Sequence, residues 1–238
     1  MFLDHFYKSQ PDGVVITPAQ ASHFAKSICR DFNPIHDPDA KRFCVPGDLL
    51  FALVLQHYGL SQTMRFRFTG MVNEQTRLQF SKPNGHEIKI TDQQGKSLLE
   101  VDFAGDKTHD ESVIEALIRH YGAFSGQNFP SLLMPLMAEH QVMFNPARPL
   151  VMYDSMSFEL NTLAPEALGI ALRETTLDVQ GKRADEKLYF DFIDGDCVIG
   201  RGIKKAILGG LKPYDTSAIE AFAHDYELRR ENQQMQLA

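Results

Sequence analysis

The chain has 238 residues, of which 43% are hydrophobic and 23% are charged, a composition typical of a globular protein with a sizeable core. This composition excludes an intrinsically disordered chain, a collagen-like repeat and a small disulfide scaffold. The 24 basic and 31 acidic side chains give a formal net charge of −7, which argues against a protein that binds nucleic acid through a basic surface.

The cysteines and the first residues bear on the cellular compartment. Cys29, Cys44 and Cys197 cannot all pair with one another, and no two of them form a C-x-x-C motif, a pattern typical of a reduced protein with inert thiols. Residues 1–10 include Asp4 and lack the long apolar core of a secretory signal, and no run approaches the ~18 apolar residues of a membrane span. We therefore expect a cytoplasmic protein with neither a membrane nor a nucleic acid as its partner.

Two helices are predicted near the start of the chain. Residues 17–20 combine a threonine cap, a proline at the first helical position and a capping-box glutamine, and apolar residues then recur every three or four positions to Ile28. This helix must end near Asp31, because Pro34 disfavours helical geometry in the residue before it. A second helix is predicted to begin near Asp48, and its seven successive apolar residues indicate that it is enclosed on nearly every side.

Alternation of apolar and polar residues predicts a group of strands after this helix. The alternating runs are residues 64–68, 78–80, 88–90 and 99–103, with a Pro-Asn-Gly turn at residues 83–85. An enclosed helix followed by strands with one polar face is the order expected if an antiparallel sheet wraps the helix.

After a polar segment at residues 105–110, which we interpret as a boundary, the same order of elements is repeated. An amphipathic helix that Gly122 can end is predicted first, and residues 131–144 are again almost entirely apolar. Four strand-like runs follow, at residues 151–160, 170–179, 188–193 and 197–208. A final helix is predicted from Asp215, with residues 229–238 as a solvated end.

This repeated order predicts an α+β protein made of two similar units. The N-terminal unit would span residues 1–108, and the C-terminal unit, which includes the final helix, residues 109–238. The two parts share an order of elements without residue-level identity, so the repeat is a pattern of architecture.

The segment that carries chemistry is residues 31–36, Asp-Phe-Asn-Pro-Ile-His. In a continuous helix, the spacing between Asp31 and His36 would turn their side chains well apart. On a loop bent by Pro34, the two side chains can converge on one point. A carboxylate and an imidazole aimed at one water molecule form a general acid–base pair, because histidine changes its protonation state near neutral pH.

Residues 31–36 resemble the D-x-N-P-x-H signature of the MaoC-like, (R)-specific enoyl-CoA hydratase family, and all four fixed positions match. The setting is also similar, because the family places this signature after a short helix and before the buried central helix of a hot-dog fold. The resemblance implies a double hot dog, in which two antiparallel sheets each wrap a buried helix in one chain. The chain as a whole also resembles a group of uncharacterised bacterial proteins, from which no function follows.

The resemblance implies a lyase of fatty-acyl metabolism that adds water to the double bond of an enoyl thioester, or removes it in reverse. Asp31 and His36 would be the catalytic pair, and Asn33 would hold the loop beside the substrate. The backbone N–H of Gly47 would donate to the thioester carbonyl, where negative charge develops at the positive end of a helix dipole. The enclosed helix, with Phe51 as a substrate-binding residue, would help line an acyl tunnel.

The chain departs from the family pattern on both sides of this site. Arg30 stands where the family usually has a glycine, and an ion pair between Arg30 and Asp31 would lower the basicity of the carboxylate. Pro46 and Asp48 flank Gly47, where the family often has a His-Gly start. Asp48 would oppose negative charge on the thioester oxygen unless its side chain faces away.

A metal site is a less favoured interpretation of the same segment. It would use Asp31, His36, Asp37 and Asp39, but the prolines among these residues favour surface acids in tight turns. We therefore expect no metal and no cofactor.

Two further interpretations concern neighbouring residues. Cys29 or Cys44 with His36 would make a nucleophilic pair, although a buried cysteine is usually inert. Arg65 and Arg67 would either hold the phosphates of coenzyme A or form the wet face of a strand, and the wet face is favoured.

Three functional hypotheses follow from the sequence. The leading one is an enoyl-thioester hydratase or 3-hydroxyacyl-thioester dehydratase, acting on an acyl-CoA or an acyl-carrier-protein thioester. The alternative is a non-catalytic protein of the same fold that binds acyl thioesters or other hydrophobic ligands. The third is an interaction module without a pocket. Because a duplicated unit supplies its own pairing partner, we expect a monomeric pseudo-dimer or a homodimer.

Overall fold

The computed structural model describes residues 2–126 and 131–237. The helices among them are α1 (Pro18–Ser27), α2 (Gly47–Tyr58), α3 (Glu111–Gly126), α4 (Leu133–Glu139) and α5 (Thr216–Leu237), with short 3₁₀ turns at Phe2–His5 and Pro34–His36. The strands are β1 (Lys8–Gln10), β2 (Gly13–Val15), β3 (Leu60–Phe68), β4 (Arg77–Phe80), β5 (Glu87–Thr91), β6 (Ser97–Thr108), β7 (Val142–Met143), β8 (Val151–Leu160), β9 (Leu168–Gln180), β10 (Arg183–Asp194), β11 (Cys197–Gly209) and β12 (Lys212–Pro213). Within these described residues, no helix is both long and apolar enough to cross a membrane.

Ten of the strands form one antiparallel sheet in the order β1-β2-β4-β5-β6-β3-β8-β11-β10-β9, and β7 pairs with β12 in a separate ribbon. The order is mirrored about the β3–β8 pair. Outward from that pair, the first half follows β3, β6, β5, β4 and the second half follows β8, β11, β10, β9. The predicted α+β class is confirmed, with a large antiparallel sheet as its main layer.

The pairing of β3 with β8 joins the two halves. Residues 63–67 of β3 pair with residues 155–159 of β8, and Phe66 lies opposite Met156. The strands thus form one continuous sheet that spans both halves, where the resemblance implied two sheets. This pairing satisfies backbone groups that each strand would otherwise leave at a free sheet edge.

Residues 105–108 belong to β6, and not to the boundary segment predicted there. Gly105 has a positive φ of 81° at a register shift between β6 and β3, and β6 then continues until Thr108 pairs with Leu60. The polar residues 105–108 can continue β6, because their backbone pairs with β3 and the strand does not need to bury one face here.

Helix α2 is enclosed, as its unbroken apolar run predicts. Residues 49–55 are at most 4% exposed, and the ring of Phe51 packs against Phe66 of β3 with centroids 5.1 Å apart. Burial of every face of this helix requires cover on all sides, and its contacts include β3, helices α1 and α3 and the 3₁₀ turn at Phe2–His5.

The second half is built differently from the prediction. The apolar segment at residues 131–144 forms the short helix α4 and strand β7 in place of a long enclosed helix. Helix α3 packs on this half of the sheet, with the rings of Phe124 and Phe190 of β10 at a centroid distance of 5.0 Å. Helix α3 also continues past Gly122, which was expected to end it, as far as Gly126.

The C-terminal helix α5 packs along the segment that carries the Asp-His motif. The hydroxyl of Tyr226 accepts a hydrogen bond from the N–H of Phe32 at 3.2 Å, and Arg229 pairs with Asp37 at 2.7 Å. The prediction of a solvated end from residue 229 is therefore wrong at its first residue, because the ion pair holds Arg229 against the motif loop.

Candidate active site

A cavity of about 510 Å³ lies beside the start of α2 and is called the main cavity below. Its polar wall includes Asp31, Asn33, His36, Asp48, Ser125 and Lys204, and its apolar wall includes Leu50, Phe68, Val72, Leu133, Phe144 and Phe222. Residues from both halves of the chain therefore line the same cavity. A largely apolar cavity with a few convergent polar groups is the usual form of a small-molecule site.

The loop after α1 is shaped by short local hydrogen bonds. Arg30, three residues after the end of α1, has a positive φ of 54°, and the N–H of Asp31 donates to the carbonyl of Ala25 at 2.9 Å. The Oδ1 atom of Asp31 then accepts from the N–H of Asn33 at 2.9 Å, and Oδ1 of Asn33 accepts from Ile35 at 3.2 Å. These turns fix the direction of the Asp31 carboxylate, whose second oxygen stays available.

Two glycines of α3 let this helix approach the same loop. A Cβ atom on Gly126 would lie 2.1 Å from the carbonyl oxygen of Cys29 and 3.1 Å from Cβ of Asp31, and one on Gly122 would lie 3.3 Å from the Cys29 thiol. The close approach requires glycine at residue 126, because the clash there is with backbone. The contact brings the end of α3 against the carbon skeleton of Asp31.

The imidazole of His36 has a defined orientation. Its Nδ1 atom lies 2.7 Å from the carbonyl oxygen of Cys44. A carbonyl oxygen only accepts, so Nδ1 carries the proton and Nε2 of the neutral ring has a free lone pair. Nε2 lies 3.6 Å from Oδ2 of Asp31, beyond the usual range of a direct hydrogen bond. Two acceptors thus face each other, an arrangement that a water or hydroxyl donor between them would satisfy.

Arg30 does not pair with the carboxylate beside it. Its side chain is exposed, and among the described residues the basic side chain that approaches the Asp31 carboxylate, at 3.6 Å, is that of His36. The neighbouring acid Asp37 pairs with Lys26 and Arg229 instead, each at 2.7 Å. The carboxylate of Asp31 is consequently left facing the cavity.

Helix α2 begins at the cavity wall with no side-chain cap. Gly47 is its first residue, and Pro46 before it offers no polar side chain. A Cβ atom at Gly47 would lie 2.8 Å from the ring of Tyr153, whose own hydroxyl bonds to that of Tyr121. The first N–H groups of a helix lack intrahelical partners and carry a partial positive charge, so this end of α2 suits an oxygen that gains negative charge.

Asp48, the second residue of α2, belongs to a buried polar cluster that crosses the two halves. Its Oδ2 atom accepts from the hydroxyl of Ser125 at 2.7 Å, and Nζ of Lys204 donates to both the hydroxyl and the carbonyl of Ser125. Asp48 is 9% exposed and Lys204 is 8% exposed. Burial raises the pKa of Asp48, while Lys204 and the hydrogen bond from Ser125 act in the opposite direction.

The structure brings most of the sequence-predicted site residues together. Asp31, Asn33, His36 and Gly47 all line the main cavity. Phe51 does not: its ring is buried in the core between Phe66 and Tyr121, and the residue before it in the helix lines the cavity instead. The helical rotation of 100° per residue explains this difference.

Ser125 and Lys204 are cavity residues that the sequence analysis missed. A signal for Lys204 exists, because residues 200, 202, 206 and 208 are buried in alternation along β11 and Lys204 falls in the same register. A lysine in an inward register is uncommon unless it is paired, which would have marked it for attention. Ser125 has no such signal.

The weaker alternatives find little support in the described residues. No group of three or more His, Cys, Asp or Glu side chains among them is arranged to hold a metal ion. Burial raises the pKa of both Cys29 and Cys44, which makes each thiol a poorer nucleophile. Arg67 pairs with Glu100 on the outer face of the sheet, as expected for a wet face.

The family model described as "Protein of unknown function (DUF3581)" matches residues 1–217. No significantly similar sequence was found among curated proteins.

Solved structures with a similar course of the chain include three proteins of low identity. A tesB protein of Mycobacterium avium subsp. paratuberculosis has 10% identity and a TM-score of 0.40 over 71% of this chain and 89% of its own. An acyl-CoA thioesterase II of Mycobacterium marinum has 8% identity and a TM-score of 0.40, over 90% and 100%. Peroxisomal multifunctional enzyme type 2 of Drosophila melanogaster has 12% identity and a TM-score of 0.40, over 83% and 47%.

Proposed function

We propose that this chain, which belongs to the DUF3581 family, is an enoyl-thioester hydratase or 3-hydroxyacyl-thioester dehydratase with one active site in the main cavity. Asp31 and His36 hold and activate the water, and the backbone N–H of Gly47 polarises the thioester carbonyl. The observation that carries the proposal is the orientation of His36, whose protonated Nδ1 is tied to Cys44 while Nε2 faces Asp31 at 3.6 Å.

The pair is suited to hold one water molecule by both of its protons. Nε2 of His36 accepts one proton of the water and Oδ2 of Asp31 accepts the other, which aims an oxygen lone pair into the cavity. In the hydration direction, His36 removes a proton as the water oxygen bonds to the β-carbon. The π electrons move to the thioester oxygen, and the α-carbon then receives a proton from the pair. Dehydration is the reverse of these steps, and neither direction needs a cofactor.

The start of α2 supplies the complement to this pair. Negative charge develops on the thioester oxygen as the enolate forms, and an uncapped helix start with a positive dipole end stabilises it. Donors fixed in advance at such a position are often the largest single contribution to catalysis. The apolar wall, with Leu50, Phe144 and Phe222, would hold the acyl chain.

The mirrored strand order supports a double hot dog as the architecture of this enzyme. Outward from the β3–β8 pair the two halves repeat one sequence of strands, as expected if residues 1–108 and 109–238 are two related units. We propose that the pairing of these two units within one chain replaces the dimer that two separate hot-dog chains would form. The Asp-His signature occurs in the first unit, so one site is proposed per chain.

The decisive experiment measures turnover of an enoyl-CoA series, starting with crotonyl-CoA, by the loss of enoyl-thioester absorbance. The parent protein is expected to consume the substrate, and Asp31→Asn or His36→Ala is expected to lower kcat by about 10²–10⁴-fold, because each removes one partner of the water. Asp39→Asn, an exposed acid on the same loop, is the matched control and is expected to keep full activity. Circular dichroism verifies that every variant is folded.

Two other outcomes distinguish the rival hypotheses. Saturable binding of acyl-CoA without turnover would contradict the enzyme hypothesis and favour a protein that binds acyl thioesters. If neither binding nor turnover is measured with any chain length, the proposed function is wrong, and the interaction module becomes the better hypothesis.

A further inference from the structure

The carboxylate of Asp48 raises an electrostatic problem for the proposed reaction. It lies in the residue directly after Gly47, at the end of α2 that should stabilise negative charge. Its Oδ2 atom accepts from Ser125, whereas Oδ1 has no hydrogen-bond partner within the described parts of the chain. A buried carboxylate without a counter-charge would repel an enolate oxygen and would be costly to bury.

The second half of the chain supplies the counter-charge. Lys204 of β11 is 8% exposed, donates to the Ser125 carbonyl at 3.2 Å and to its hydroxyl, and lies over the ring of Tyr153 with Nζ 4.5 Å from the ring centroid. The hydroxyl of Ser125 therefore connects a buried cation to a buried anion. Lys205, the next residue, faces the other side of the sheet and pairs with Asp185 at 2.8 Å.

We infer that Lys204 is a positioning residue for the proposed reaction: its charge, held to Asp48 through Ser125, keeps the start of α2 able to stabilise a thioester enolate. This inference rests on the function proposed above. It gives the C-terminal unit a specific task, because the lysine that neutralises the site of the first unit comes from the last long strand of the second. In this proposal Lys204 acts through Asp48, to which Ser125 connects it.

Removal of Lys204 should leave a pH-dependent defect. The groups that face Asp48 are Lys204 from β11, Tyr121 and Ser125 from α3, Tyr153 from β8, and Cys29, Asp31 and His36 from the end of α1 and the motif loop. Without the lysine, the pKa of Asp48 rises further, because burial is then opposed by fewer favourable contacts. Below that pKa, Asp48 is neutral and the repulsion disappears. Above it, the carboxylate is charged and the defect is complete.

The test compares three variants of the full chain in turnover of crotonyl-CoA across a pH series. Lys204→Met is expected to lower kcat on the order of 10- to 100-fold at neutral pH, less than the roughly 10²–10³-fold loss of a whole oxyanion donor. The double variant Asp48→Asn with Lys204→Met is expected to recover to within about fivefold of the parent, because no buried charge remains to oppose the enolate. Lys205→Met, on the outer face of the same strand, is the matched control and should keep the parent kcat.

The pH series separates this role from a purely structural one. The ratio of kcat between Lys204→Met and the double variant should rise toward one as the pH falls. Both variants contain His36, so its titration cancels in the ratio. A packing defect would lower both variants alike at every pH.

Each result decides the inference. If Lys204→Met turns over like the parent while Asp31→Asn abolishes turnover, the inference is wrong and the proposed function stands. If Lys204→Met does not fold, the double variant decides the question. A kcat of the double variant below a tenth of the parent value would overturn the inference. Absence of turnover in the parent overturns both the inference and the proposed function.

Discussion

Two acids of the main cavity are held in opposite ways. Asp31 is on a loop, has a quarter of its side chain exposed, and faces His36 across 3.6 Å without a direct hydrogen bond. Asp48 is on a helix, is buried, and is bonded through Ser125 to Lys204. The difference indicates that the two acids have different roles. The carboxylate of Asp31 is left accessible to a ligand, whereas the carboxylate of Asp48 already has a partner within the protein. The predictions below test this contrast.

The largest expected effect is the loss of protein stability when Asp48 loses its buried cation. Lys204→Met leaves the buried carboxylate of Asp48 without its cation, which should lower the free energy of unfolding by about 3–5 kcal/mol. Loss of Lys205, whose pair with Asp185 is partly exposed, should lower it by less than about 1 kcal/mol. Urea unfolding monitored by circular dichroism measures both values. Equal midpoints for the two variants would contradict the contrast.

The next effect concerns the approach of α3 to the motif loop. Gly126→Ala places a methyl group 2.1 Å from the backbone oxygen of Cys29, so the helix or loop must shift, and a loss of about 2–3 kcal/mol is expected. Gly122→Ala meets its neighbour at 3.3 Å and should stay within about 1 kcal/mol of the parent, because alanine favours helix. Thermal unfolding and crotonyl-CoA turnover of the two variants test the difference. A more stable Gly126→Ala would show that the contact is not required.

A smaller effect is expected from the loss of a contact that holds the loop of Asp31. Tyr226→Phe removes the hydroxyl that accepts from the N–H of Phe32, which leaves that donor buried and should cost about 1–2 kcal/mol. Because Phe32 follows Asp31, turnover should fall several-fold, whereas the Asp48 cluster is not touched. Tyr189→Phe, on the less buried face of β10, is the control. Unchanged unfolding of Tyr226→Phe would mean that the hydrogen bond contributes nothing.

The smallest effect is expected at the rim of the loop. Arg229→Gln removes a half-exposed partner of Asp37, and such a pair is worth only about 0.2–1 kcal/mol. The difference in unfolding free energy between parent and variant should shrink at high salt, because ions screen exposed charges. A salt-independent difference would instead point to packing of the arginine stem.

Much of the fold follows from local patterns in the sequence. The unbroken apolar run of residues 49–55 marked the enclosed helix, and the strands were located by alternation in the first half and by strand-like runs in the second. The proline-stiffened segment placed Asp31 and His36 on one cavity, as a bent loop allows. These features are encoded within a few residues of one another, so their physical causes are visible in the sequence.

The features that sequence reasoning missed depend on distant contacts. Ser125 and Lys204 are 79 residues apart, and neither has a local reason to lie beside Asp48. Gly122 was interpreted as a helix end, yet it continues α3 because its missing side chain makes room for Cys29. Arg229 was assigned to a solvated end, although Asp37 holds it. In each case a tertiary contact overrides the usual local meaning of the residue.

The seam between β3 and β8 has a consequence for the order of events on the ribosome. When residues 1–108 have left the exit tunnel, β3 to β6 can cover part of α2, but helix α3 and the lysine that compensates Asp48 are still to be translated. Lys204 reaches Asp48 through Ser125 only once β11 has docked. Maturation of the cavity is thus a late step, which only the completed chain can take.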